Sequence, residues 1–272
     1  VTGAHDAERA RQRLPLGVLV PAVLGLVLLV VPLLALLPRV DWSTLPATLL
    51  SPTARDAVWL SVRTAAAAVV CCLALGVPLA LLIARASPRV AAVLRAVVTL
   101  PLVLPPLVGG VALLSVVGRT GLLGGVLDTL GVTVAFTPWA IVLAQTFVAM
   151  PFLVIALEGS LRAVGARYEA VAATLGARRL TVLRRVTLPL VAPGLLAGVV
   201  LAFTRAIGEF GATALVAGNR PGVTQTVPMA IYTAYNGTGV ARDTALALSL
   251  LLVAVALVIL LLVPAARRRE AL

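Results

Sequence analysis

Arg205 and Glu209 lie four residues apart in TRAIGEFGATALVAGNRPG, a largely apolar stretch. On one helix face that spacing lets a guanidinium and a carboxylate pair. Inside a bilayer a charge costs at least about 2.5–3.5 kcal/mol on insertion scales, so both groups must face protein or water. Two readings follow: an internal salt bridge that steadies packing, or a polar lining for a path through the membrane. Gly208, Gly211 and Ala212 favour close approach of two helices here, and Thr213 is grouped with them as a candidate lining residue. Other chemistry is scarce. His5 is the only histidine, and it sits in a polar opening segment. Cys71 and Cys72 are adjacent in an apolar run, where cysteine acts as a small hydrophobe. No catalytic triad and no metal site can be assembled from these residues, and no cofactor is expected on this chain. All 22 basic residues are arginine. Without a lysine the chain cannot form a P-loop, so any ATP chemistry belongs to another polypeptide.

The elements that must carry the pair are membrane helices. The sequence is 61% hydrophobic and 12% charged, against about 45–50% and 25% in soluble domains. Six apolar segments approach or exceed the roughly 20 residues a helical span needs: 14–37, 57–84, 96–117, 135–157, 188–217 and 244–263. An all-α, polytopic membrane helix bundle is expected, with polar tails at 1–13 and 264–272. The polar opening lacks the apolar core of a cleavable signal sequence. Arginine collects on alternate connections. Arg9, Arg11, Arg13, Arg85, Arg89, Arg95, Arg162, Arg167, Arg178, Arg179, Arg184, Arg185 and Arg267 to Arg269 fall on one side, against Arg39, Arg55, Arg119, Arg220 and Arg242 on the other. The excess of positive charge predicts that both termini and the connection after span four are cytoplasmic. Arg63 and Arg205 fall within spans. A net charge of +12 spread this way does not make a nucleic-acid surface.

Span three contains PLVLPPLVGG, with Pro101, Pro105, Pro106, Gly109 and Gly110. Proline removes a backbone hydrogen bond, which a membrane tolerates only where protein or water replaces it. A kinked packing helix and a helix lining a pathway both fit. The glycine-rich connection from Gly118 to Pro138 is expected to hold a short surface helix.

The stretch from Tyr168 to Gly198 reads YEAVAATLGARRLTVLRRVTLPLVAPGLLAG. It predicts a short helix with a small-residue face at Ala170, Ala173 and Ala177. Gly176 is placed to end that helix in the left-handed conformation. Four arginines follow, then Pro189 and Pro193 at the start of span five. This segment resembles the EAA loop of ABC importer permeases: Glu-Ala-Ala, three residues, Gly, nine residues, Ile, one residue, Leu-Pro. From Gly176, nine residues lead to Val186, then Thr187 and Leu188-Pro189, in register. Counting back from Gly176 puts Ala170 at the glutamate position, with Glu169 one residue early.

The resemblance implies a type I ABC importer permease architecture over residues 57–263. In that family the loop forms a coupling helix, which here would include Tyr168, Glu169, Ala170, Ala173, Gly176, Ala177, Leu188 and Pro189. The stretch Arg205–Tyr232, with Gly208-Glu209-Phe210-Gly211 and the run TQTVP, is similar to molybdate/tungstate permeases; sulfate and thiosulfate permeases are the related alternative. Partners implied are a second copy of the chain, an ABC ATPase dimer, an extracytoplasmic oxyanion-binding protein and the cell membrane lipid. An ion-driven secondary transporter is the rival class, which usually shows repeated halves with intramembrane acids.

Overall fold

The computed structural model describes residues 16–165, 167–237 and 241–269; the opening tail with His5 lies outside them. Among the described residues the chain is helical, with no strand. The helices are α1 (Leu16–Leu34), α2 (Leu45–Leu49), α3 (Pro52–Arg85), α4 (Pro88–Val103), α5 (Pro106–Val117), α6 (Gly124–Thr129) and α7 (Pro138–Val164). After them come α8 (Arg167–Thr174), α9 (Arg179–Val182), a π-helical turn (Leu183–Thr187), α10 (Leu188–Ile207), α11 (Gly211–Ala217), α12 (Val227–Asn236) and α13 (Ala241–Arg269). Proline opens α3, α4, α5 and α7, where its missing N–H is one that no helix turn would use. Ser51 caps α3 by accepting from the Ala54 N–H. The short helix expected between Gly118 and Pro138 is α6.

Five segments are each long and apolar enough to cross a membrane, and α4 with α5 passes the same test only as a bent pair, a broken span or a re-entrant loop. That bent pair corrects the sequence expectation for 96–117. Rather than a kinked helix, α4 and α5 are separate helices turned by 111°. Leu104 and Pro105 each precede a proline, and both are extended, at ψ 138 and ψ 134. A residue before proline is driven out of the helical region, and two in succession make a corner. Span five is also interrupted: α10 stops at Ile207, and α11 begins afresh at Gly211.

The centre of the bundle is α7, packed against α3 and α10. Small residues make the contact close. Ala65, Ala68 and Cys72 of α3 meet Ala149 and Leu153 of α7 and Ala202 and Ala206 of α10. Cys72 is fully buried there, as a small hydrophobe should be. A Cβ at Gly198 would sit 3.3 Å from the Leu153 backbone, so glycine lets α10 lie directly on α7. By contrast α1 buries no residue against its own chain.

Candidate functional site

The two broken spans meet at their breaks. A Cβ added to Gly211 would lie 2.8 Å from Pro106 Cβ, and one added to Gly110 would lie 3.0 Å from the Ala212 backbone. Only glycine at these positions lets α5 and α11 run side by side, in the same direction, from breaks at one level. Two helix N-termini, each with partial positive charge, therefore lie side by side, that of α5 on an exposed face of the chain. The α5 terminus has no side-chain cap.

Glu209 occupies the other terminus. Its Oε1 accepts from the Ala212 N–H at 2.8 Å, while its Oε2 pairs with Arg205 Nη1 at 2.7 Å. One carboxylate thus ties the last turn of α10 to the first turn of α11. The pairing expected from the sequence is present, but not along one continuous helix, since Glu209 lies beyond the helix end at Gly208. The Glu209 side chain is 2% exposed and that of Arg205 29%. The arginine side therefore opens toward a surface of the chain. Thr213, on α11, is fully buried and its hydroxyl has no partner. Gln145 of α7 is likewise buried, with both amide atoms unpaired. Gly208, by contrast, is exposed and touches nothing beyond its own helix in a single chain.

The second set of candidates lies at the opposite end. Helix α8 ends in a Schellman motif, with Gly176 N–H bonded to Ala173 O at 3.0 Å and Ala177 N–H to Ala172 O at 3.1 Å. Gly176 has φ +79, the left-handed value expected of it. Ala170 and Ala173 are exposed, as are the larger Tyr168, Val171 and Leu175. Glu169 turns the other way. Its Oε1 accepts from Thr187 Oγ1 at 2.6 Å and from Arg85 Nη2 at 3.0 Å. The Thr187 hydrogen bond and the Arg85 guanidinium hold this carboxyl below the usual range, against a smaller opposing effect of burial. The carboxylate joins three elements: α8, the end of α3 and the π-helical turn leading into α10. That turn precedes Pro189, which has no N–H to return to the turn before it; Leu188 N–H instead reaches Leu183 O.

Residues 76–269 match the family described as the binding-protein-dependent transport system inner membrane component. The chain belongs to this family. The permease is 53% identical over 240 residues to the molybdenum transport system permease protein ModB of Mycobacterium tuberculosis, covering 88% of this chain and 90% of that one. It is 40% identical over 203 residues to the Escherichia coli protein of the same name, covering 73% and 89%. It is also 32% identical to the probable transport system permease protein NifC of Clostridium pasteurianum, covering 84% and 79%. Among solved structures, a bacterial ABC transporter that imports alginate matches with a TM-score of 0.73 at 18% identity, covering 93% and 94%. The MetNI methionine ABC transporter matches with a TM-score of 0.61 at 18% identity, covering 78% and 94%. These two likenesses concern the fold.

Several polar groups in the permease escaped the sequence reading. Glu158 of α7 is a second buried acid, alongside Glu209. It takes Arg95 of α4 through both oxygens, at 2.8 and 3.3 Å, and Arg162 at 2.9 Å. Its four-residue spacing to Arg162 was the available signal. In the sequence Arg85 belongs to a basic connection and Thr187 to a motif spacer, and nothing local marks them as partners of Glu169. Leu188 and Pro189 open α10 directly after Thr187, the hydroxyl partner of Glu169.

Proposed function

We propose that this permease forms, as a homodimer, the membrane path of an ATP-driven importer for molybdate or tungstate. A separate ATPase dimer supplies the energy and an extracytoplasmic binding protein supplies the oxyanion. Both termini lie in the cytoplasm, and ATP is hydrolysed on the partner chain. The cargo assignment rests on the Arg205–Tyr232 resemblance and on the names of the relatives above.

For coupling, the observation that carries the reading is the three-way junction at Glu169. Helix α8 offers an exposed face of Tyr168, Val171, Leu175, Ala170 and Ala173 to the ATPase. A push on that face acts through the Glu169 carboxylate on Arg85 and Thr187, and so on the inner ends of α3 and α10. Helix α10 spans about 30 Å at 1.5 Å per residue and ends at the Arg205–Glu209 clamp. Movement of α10 as a rod then shifts the paired breaks. There Arg205 and the uncapped α5 terminus offer positive potential to a passing dianion.

Uptake into vesicles holding the reconstituted permease and its ATPase tests the reading. Molybdate and tungstate are expected to compete with each other, and sulfate weakly. Inhibition by sulfate alone would reassign the cargo to the sulfate and thiosulfate class. Uptake on an ion gradient without any ATPase would overturn the coupling scheme.

A further inference from the structure

Arg63 is unexplained by any of this. It lies on α3 and is exposed. Among the described residues it makes no ion pair or hydrogen bond. A charge left in hydrocarbon would be costly, so its depth decides what it meets. Arg63 and Arg85 are about 33 Å apart along α3 at 1.5 Å per residue, close to the roughly 30 Å of a hydrocarbon core. Helix α7 gives the same measure independently, since Trp139 and Arg162 are about 35 Å apart along it. Arg63 and Trp139 line one cavity of about 400 Å³, together with Thr64, Ala67, Pro138 and Val142. The two residues therefore share a level, and it is the membrane boundary opposite the α8 loop. The first turns of α3 project beyond that boundary, and Arg63 stands toward the outer end of the 57–84 segment.

Tryptophan marks the same boundary. The chain's three, Trp42, Trp59 and Trp139, are 57%, 65% and 69% exposed, and Trp59 is one turn from Arg63. Exposed tryptophans gather at the headgroup level of a bilayer. The face is also separate from the Arg205–Glu209 clamp. Ala65 and Ala68 turn α3 toward α10, and Arg63 is about 200° around the helix from Ala65. Next to it, the Thr137 hydroxyl at the start of α7 donates to Val134 O and accepts from no α7 amide, so the positive end of α7 has no side-chain cap.

We propose that the Arg63–Trp139 cavity is a phospholipid site, in which the guanidinium and the start of α7 hold the lipid phosphate while Trp139 lies beside the glycerol region. The occupant is a lipid because the site faces outward at headgroup depth, on the far side of α3 from α10. The inference needs only that the chain spans a bilayer, and stands apart from the cargo and coupling readings.

Native mass spectrometry of the full-length permease in dodecylmaltoside, titrated with dioleoyl-phosphatidylglycerol, tests it. A saturable lipid per copy is expected, with apparent affinity about five-fold weaker in Arg63→Gln and intermediate in Arg63→Lys. Arg55→Gln removes a charge farther out on the same helix and is expected to leave binding unchanged. Equal losses in the Arg63 and Arg55 variants would mean attraction to net charge only. Displacement of the lipid by sodium molybdate would make the cavity an oxyanion site, and a change in dimer content at constant lipid count would make it a contact between copies. Any of these three outcomes overturns the proposal.

Discussion

Glu169 and Glu209 use the same device in two solvents. Each carboxylate joins the end of one helix to the start of another, through an arginine on one side and a neutral donor on the other. Glu209 does so with its side chain 2% exposed, and Glu169 with 29%. In the dry site loss of the Arg205 contact leaves the Glu209 carboxylate buried and unpaired, so the clamp is stiff. At the wet site water replaces what is lost, and the junction can open and close at small cost. The proposed coupling scheme uses both: a rigid break at the Arg205–Glu209 clamp, and a soft joint at Glu169.

The comparison is broken most severely at the dry end. Glu209→Ala is expected to destabilise the permease by about 3 kcal/mol, because Arg205 loses its partner and α11 loses its cap. A thermal melt in detergent checks this. Arg205→Met combined with Glu209→Gln should recover part of the loss, since the charge and its counter-charge leave together. If the double variant is no better than Glu209→Ala, the clamp is not the source of the stiffness. Next come the glycines beneath it. Gly110→Val and Gly211→Ala press Cβ atoms against backbone and a proline ring, for about 1–3 kcal/mol each by the same melt.

How much of this was written in the sequence differs between the two ends. The Gly176 cap was legible, because a left-handed helix end has few substitutes for glycine. The Arg205–Glu209 pairing was legible from spacing alone, and the corner at Leu104–Pro105 was available from the doubled proline. The break at Gly208 was not, because hydropathy registers only a continuous apolar run. Its excess length was the hint: 188–217 would extend about 45 Å as one helix, well over a bilayer core. The Glu169 junction was least legible. Its partners stand 18 and 84 residues away, and the motif register, which places Glu169 one position early, pointed away from it. Long-range side-chain meetings leave no periodicity to read.

At the wet end the effects on stability shrink while those on coupling grow. Gly176→Arg meets no neighbour within 4 Å, so its cost is the left-handed backbone, about 1–2 kcal/mol. Uptake should nevertheless fall sharply, with ATP hydrolysis no longer responding to substrate. If uptake and coupling both survive, α8 is not the coupling helix.

Glu169→Gln gives the smallest change in stability and the sharpest discrimination. The amide oxygen still accepts from Thr187, so only the charge toward Arg85 is removed, and the melt should shift by less than about 1 kcal/mol. Uptake per ATP should drop while basal hydrolysis persists, which a merely structural glutamate would not produce. Acid should mimic the substitution. The folded carboxyl titrates below its ordinary 4.5, so its contribution is complete above that value and is lost as pH falls below it. Amide exchange over α8, compared between the parent and Glu169→Gln at matched pH, should therefore differ near pH 6 and converge as the pH falls through the lowered pKa. A difference that persists once the carboxyl is protonated would mean that the junction depends on side-chain shape rather than charge, and the soft joint would need another origin.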